Sequence, residues 1–552
     1  MISSQLVVLA LAPLAVQAGF SPRATYLASA SSYAGSTVSA VWPPPGATNT
    51  ALDAYFPDAN QVGNTGPTPT GDEAEAIATA PAAKFDSVYP LTDPSASDSD
   101  SSSEFEVVKH WGSLSPWYSV QSKDLPESSP EIPQGCSITQ VHLLHRHGAR
   151  YPTEGSALAS LAEKVHNAST GAGFSASGPL AFLNTWTYKL GAELLTPFGR
   201  EQLYDLGVAF RIRYGHLLEG FDQLPVFRTT SEARMVDSAL NFAAGFFGVQ
   251  SYQTDYHQLI MEEPVDNIAY NNTLAPFYSC PNFGGNGRSL GEWEEKYLQP
   301  ALERISSMIQ GINFTISDMA AMQQTCIYEM VALGFSEFCG LFTEEEWRGF
   351  DYLLDVEFWY YFGPGNPASA AAGLGWVAEL VARLTETPIT SPVGEVNTTL
   401  ANNTTFPLNQ PIYVDATHDT VISTILTTMN FTSLAKSGPL PFDHIPANLS
   451  YVASQFSPFA SNLVGQVLSC PSSGTPSHIR WVLNDAVLPL TGLGSCPEDP
   501  NGLCPLDVFV KGMKDRINEI DYEYDCFANL TVPDPDTIVD GRYPAYLRNG
   551  TA

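Results

Sequence analysis

Residues 138–144, Ile-Thr-Gln-Val-His-Leu-Leu, have the β-branched and apolar content of a buried strand, and one residue later the chain enters Arg146-His147-Gly148-Ala149-Arg150-Tyr151-Pro152. Gly148 breaks the chain where that strand would end. His147 then sits at a strand's carboxyl end, the edge at which open α/β sheets bind ligands. The stretch therefore commits the chain to a sheet-based fold with two guanidinium groups crowded around one imidazole at the mouth of a strand.

Those residue types suit a phosphate ester. Planar arginine forks neutralise its charged oxygens with paired, charge-assisted hydrogen bonds, and a neutral imidazole can then attack phosphorus. The product is a phosphohistidine, which divides one hard displacement into two easier ones. A second segment supplies the missing acid. Residues 411–416 read as another strand, His418-Asp419 follow at once, and Val421, Ile422, Ile425 and Leu426 recur at helical spacing. His418 thus opens a helix, whose unpaired N–H groups favour an anion, and Asp419 is placed to protonate a departing alkoxide oxygen.

With both segments in this order, the chain resembles the secreted fungal histidine acid phosphatases, the phytase-related branch of the histidine phosphatase superfamily. Three more segments agree: residues 111–118, Trp-Gly-Ser-Leu-Ser-Pro-Trp-Tyr; residues 195–203, Leu-Thr-Pro-Phe-Gly-Arg-Glu-Gln-Leu; and residues 228–234, Arg-Thr-Thr-Ser-Glu-Ala-Arg. The likeness covers roughly residues 107–535. It implies His147 as nucleophile, Asp419 as proton donor, and Arg146, Arg150, Arg234 and His418 as phosphoryl ligands, with no cofactor. Arg228 falls on the strand before the turn, where a structural salt bridge suits it. The implied fold is α/β: a mostly parallel sheet flanked by helices, phosphoglycerate-mutase-like, with a largely helical cap inserted after the first motif. Apolar spacing agrees, predicting helices over 201–214, 235–247, 292–308 and 372–384, and a late hairpin over 480–488 with its turn at Asn484-Asp485.

A metal site at His142, His145 and His147 is the rival reading. Alternation along a strand points His142 away from His145, and no Cys or carboxylate close in sequence completes a zinc set, so no metal is expected. The substrate reading turns on an absence. Related phytases carry lysines just after the nucleophile motif to hold the extra phosphates of inositol hexakisphosphate, whereas residues 153–159, Thr-Glu-Gly-Ser-Ala-Leu-Ala, have none. A broad acid phosphatase acting on small phosphate monoesters is the reading taken, with phytase as the alternative. A non-catalytic secreted cell-wall glycoprotein is more remote, because its mark would be a lost nucleophile or acid.

Residues 1–18 read as a secretory signal: a short apolar core over 5–16 and the small residues of Val16-Gln17-Ala18 at a cleavage point. Residues 19–105, rich in Ser, Thr, Pro, Gly and Ala, read as a largely disordered leader, and residues 106–552 as the phosphatase domain. Eight cysteines without a metal-type Cys-x-x-Cys read as disulfides, and sequence alone leaves their pairing open. The resemblance implies Cys136 with Cys470, Cys280 with Cys526, Cys326 with Cys339, and Cys496 with Cys504. Asn167, Asn271, Asn313, Asn397, Asn402, Asn403, Asn430, Asn448, Asn529 and Asn549 are glycosylation acceptors by pattern. All of this suits an exported protein, extracellular or cell-wall associated. The net charge of −33, from 58 acidic and 25 basic residues, argues against nucleic acid and anionic membranes as partners.

Overall fold

The computed structural model describes residues 105–263, 271–284, 290–471, 473–533 and 536–548; the signal segment, the leader up to residue 104 and Asn549 lie outside them. Eight strands form the main sheet: β1 (Ser137–Arg146), β2 (Val226–Thr230), β3 (His257–Met261), β4 (Ile412–Thr417), β5 (Asn462–Ser469), β6 (Ser477–Leu483), β7 (Ala486–Leu488) and β8 (Cys504–Pro505). Their order is β8-β6-β5-β1-β4-β2-β3, with β7 paired to β6. Strands β1, β4, β2 and β3 are mutually parallel, and β5 to β8 add an antiparallel wing on the other side of β1. The fold is thus α/β with a mixed, mostly parallel central sheet flanked by helices. Asn484 and Asp485 turn β6 into β7 with φ of 47° and 71°, the paired left-handed geometry that a two-residue hairpin favours.

The last six residues of β1 and all six of β4 are buried, as central strands covered on both faces must be. One face is covered by α2 (Pro197–Tyr214) and α3 (Ala233–Phe247), through Leu203, Leu206, Phe210, Phe242 and Phe246 on Val141, Leu143 and Val414. Gly207 and Gly245 let these two helices touch backbone to backbone, since a Cβ on either would overlap the carbonyl of Phe242 or Tyr204. The opposite face carries α7 (Leu374–Thr385), α8 (Asp419–Thr428) and α9 (Leu506–Glu519). Between α1 (Ala157–Thr170), α4 (Gly291–Ser306), α5 (Ile316–Leu333) and α6 (Glu344–Glu357), a helical group packs on itself: α1 on α5, α4 on both α5 and α6. The helix predicted over 372–384 divides at Gly373, which presses on the Thr428 hydroxyl with no room for a side chain.

Four disulfides close the chain: Cys136–Cys470, Cys280–Cys526, Cys326–Cys339 and Cys496–Cys504. The first ties the start of β1 to the end of its antiparallel neighbour β5. No helix among the described residues is long and apolar enough to cross a membrane.

Asp415, in β4, anchors a buried charge network beneath the site. It accepts hydrogen bonds from Arg228 Nε at 2.6 Å, Arg383 at 2.7 Å and Trp376 Nε1 at 2.9 Å, while Arg228 also donates to Glu379 at 2.8 Å. Against the cost of burial, the two guanidinium groups hold its carboxyl well below the usual carboxylate range. Arg228 is thereby a structural residue. Replacing Asp415 with Ala takes the carboxylate from buried Arg383 and leaves Arg228 with Glu379 alone, so a loss of about 3–5 kcal/mol is expected in urea unfolding. A loss below about 1 kcal/mol would show that the network is not what holds β4.

Candidate active site

Three local devices aim the end of β1. Gly148 and Gly199 meet backbone to backbone, where a Cβ on either would overlap the other segment, so the turn after His147 docks on the first turn of α2. Thr196 caps that helix by accepting from Gly199 N at 3.0 Å, and Gln202 accepts from Ala149 N at 2.9 Å. Residues 195–203 therefore act as the seat of the nucleophile loop. Residues 111–118 steady Arg146 in a similar way, because the Ser113 carbonyl accepts from its guanidinium, as does the Ser457 carbonyl at 2.7 Å. The Arg146 guanidinium also stacks 4.5 Å over Phe459 and pairs with Asp419 at 2.7 Å.

His147 is almost fully buried. Its Nδ1 lies 2.8 Å from the Gly148 carbonyl, a bond that needs Nδ1 to carry the proton and leaves the lone pair on Nε2. Burial first, and then Arg146, Arg234, Arg150 and His418, push the imidazole well below its ordinary value. It therefore stays neutral, and nucleophilic, in acid.

The six residues singled out in the sequence converge. The ring centroids of His147 and His418 are 5.9 Å apart, and Arg146, Arg150 and Arg234 are its cationic neighbours. His418 caps α8, whose first residue is Asp419. The Nε groups of Arg146, Arg150 and Arg234 are buried without a hydrogen-bond partner, donors of the kind that an anion would satisfy.

Three carboxylates join them that sequence reasoning assigned no role. Arg234 pairs with Glu193 at 2.8 Å and Glu232 at 2.5 Å, and His418 Nε2 lies 3.4 Å from Glu263. Glu232 was visible in the 228–234 segment but carried no signal of function, and Glu193 sits in a loop. Glu193 holds φ at 64°, a left-handed conformation costing about 1–3 kcal/mol that the surrounding contacts must offset.

Glu232, Glu263 and His418 are also the described trio whose ligand atoms lie within 4.8 Å of one another. They do not fit a cation, because Arg234 already pairs with Glu232 and further guanidinium groups lie beside it. His142 and His145 lie apart from this cluster. His142 stacks on Tyr413 and His145 on Phe242, and burial brings them down to about 3 and about 4, so His145 stays neutral and adds no charge to the pocket.

An imidazole with a free lone pair, guanidinium donors around it and a carboxyl group across the cleft can transfer a phosphoryl group. A family model described as the histidine phosphatase superfamily, branch 2, matches residues 137–484. Phytase A of Aspergillus terreus is 32% identical over 428 residues, spanning 74% of this chain and 88% of that protein. Phytase A of Aspergillus oryzae is 33% identical over 432 residues, spanning 74% and 89%. The crystal structure of a phytase from D. castellii superposes with a TM-score of 0.64 at 24% identity, over 82% of this chain and 94% of that one, a likeness of fold.

Proposed function

Because the chain belongs to branch 2 of the histidine phosphatase superfamily, we propose that it is an exported hydrolase of phosphate monoesters working through a phosphohistidine at His147. Arg146, Arg150, Arg234 and His418 hold the phosphoryl oxygens. Nε2 of His147 forms a bond to phosphorus as the ester P–O bond breaks, and Asp419 gives its proton to the leaving oxygen. Water then attacks phosphorus, Asp419 takes up a proton, the N–P bond breaks and inorganic phosphate leaves. The observation that carries this reading is the contact of buried His147 Nδ1 with the Gly148 carbonyl at 2.8 Å, which frees Nε2 beside Arg146, Arg150 and Arg234. The four disulfides support export, and none of the nine described glycosylation acceptors is buried.

Broad monoester specificity is the finer reading, supported by the missing lysines of residues 153–159 and by the carboxylates around Arg234. Hydrolysis of inositol hexakisphosphate is the second, favoured by the names of the curated relatives. Comparing kcat/KM for p-nitrophenyl phosphate and for phytate in mild acid separates them. Equal or higher values for the small ester are expected, and a marked preference for phytate would replace the first reading with the second.

A further inference from the structure

The charge count of the site does not suit the dianion it would bind. Three guanidinium groups, Arg146, Arg150 and Arg234, share the cluster with four carboxyl groups, Asp419, Glu193, Glu232 and Glu263. With all four ionised and both histidines neutral, the cluster is net negative. A phosphoryl dianion entering it would meet repulsion and would find Arg234 already engaged on two sides.

Glu232 faces this cluster rather than its own helix. It is the N-cap residue of α3, yet its carboxyl makes no capping hydrogen bond; it turns instead to Arg234 at 2.5 Å and to His418 Nε2 at 3.8 Å. Glu263 follows the end of β3, its N–H donating to Ser231 Oγ at 2.9 Å, and its carboxyl faces His418 at 3.4 Å. Both side chains are nearly buried, 12% and 7% exposed, so neither is screened by water.

Resting on the phosphatase reading above, we infer that Glu232 and Glu263 hold Arg234 and His418 and release them to the anion only on taking up protons, so that substrate binding itself is proton-driven. Glu232 and Glu263 are thus positioning residues that act through two phosphoryl ligands. Burial pushes each carboxyl up to about 7. For Glu232, Arg234 and His418 pull down while Glu263 and Glu193 push up; for Glu263, the Thr230 side chain, Arg234 and the Glu232 backbone N–H pull down. In acid both are neutral, and Arg234 is freed from Glu232 while keeping its contact with Glu193. As pH rises through about 7 both ionise and compete with the ligand.

Sulfate tests this cleanly, since it keeps two charges across the working range and has no phosphoryl group to transfer. Calorimetric titration of the intact protein with sulfate, in buffers of differing ionisation enthalpy, is expected to show proton uptake near neutrality. The dissociation constant should rise about tenfold per pH unit above about pH 7 for each linked proton. Glu232→Gln together with Glu263→Gln mimics the protonated pair, and should bind sulfate within about threefold of the parent near pH 5 while losing most of the rise toward pH 8. An absence of proton uptake in the parent protein overturns the inference with no variant needed. Uptake that persists undiminished in the double variant overturns it equally, by assigning the protons elsewhere. Either result leaves the phosphohistidine step untouched, because that step is read from phosphate release.

Discussion

Phosphate release by the His147→Ala protein is expected to fall to background, a loss of about 10⁴-fold or more in kcat, because His147 is the imidazole whose free Nε2 lies among the arginines. Among the neighbours of His147, the arginines are permanently protonated. His418 has its Nε2 turned to Glu263 at 3.4 Å and is brought down to about 4 by burial, against the pull of Glu232. The imidazole follows the last residue of β1 and packs against Phe459, with centroids 6.0 Å apart, so its removal is expected to leave the strand and the arginines in place. Sulfate binding by this variant, within a few-fold of the parent protein, would show that the cage survives and that only chemistry is lost. Retention of more than about a tenth of the parent rate would show that His147 is not the nucleophile.

Asp419→Asn is expected to show the second largest effect, and its size should depend on the leaving group. Asn keeps a hydrogen-bond acceptor near Arg146, 2.7 Å from the carboxylate in the native site, but has no proton to give. An alkyl ester leaves as a strongly basic alkoxide and needs that proton, so kcat should fall by about 10²–10⁴-fold. p-Nitrophenyl phosphate leaves as a stabilised phenolate and should lose about tenfold or less. Equal losses on both substrates would mean that Asp419 serves to hold Arg146 rather than to donate a proton. The two variants thus separate nucleophile from acid by different readouts.

The site was legible because its residues stand next to signals that sequence carries well. His147 and His418 each follow an apolar run that can only be a buried strand, and the register pairing Arg146 with Thr417 brings the two strand ends together. Arg234 lies on the first turn after another strand. The carboxylates escaped for the opposite reason: Glu193, Glu232 and Glu263 come from a loop, a helix cap and a strand exit, and only tertiary packing brings them to Arg234 and His418. Helices divided along the same line. Those with one buried face, α2 and α3, could be read from apolar spacing, whereas α5 is buried on nearly every side and presents no stripe. A capping box of Thr315 and Asp318 starts it, a pattern not read from the sequence. The antiparallel wing had only its hairpin turn, Asn484-Asp485, to announce it, since β5 and β6 are buried almost throughout and show no alternation.

Trapping the intermediate tests the central claim most directly. Mixing the protein with a ³²P-labelled monoester and quenching in base, where phosphohistidine survives, should leave label approaching one phosphoryl group per chain, on the peptide that contains His147. The His147→Ala protein should carry none. Label on another residue, or turnover at the full rate with no covalent phosphate at any time point, would contradict the account.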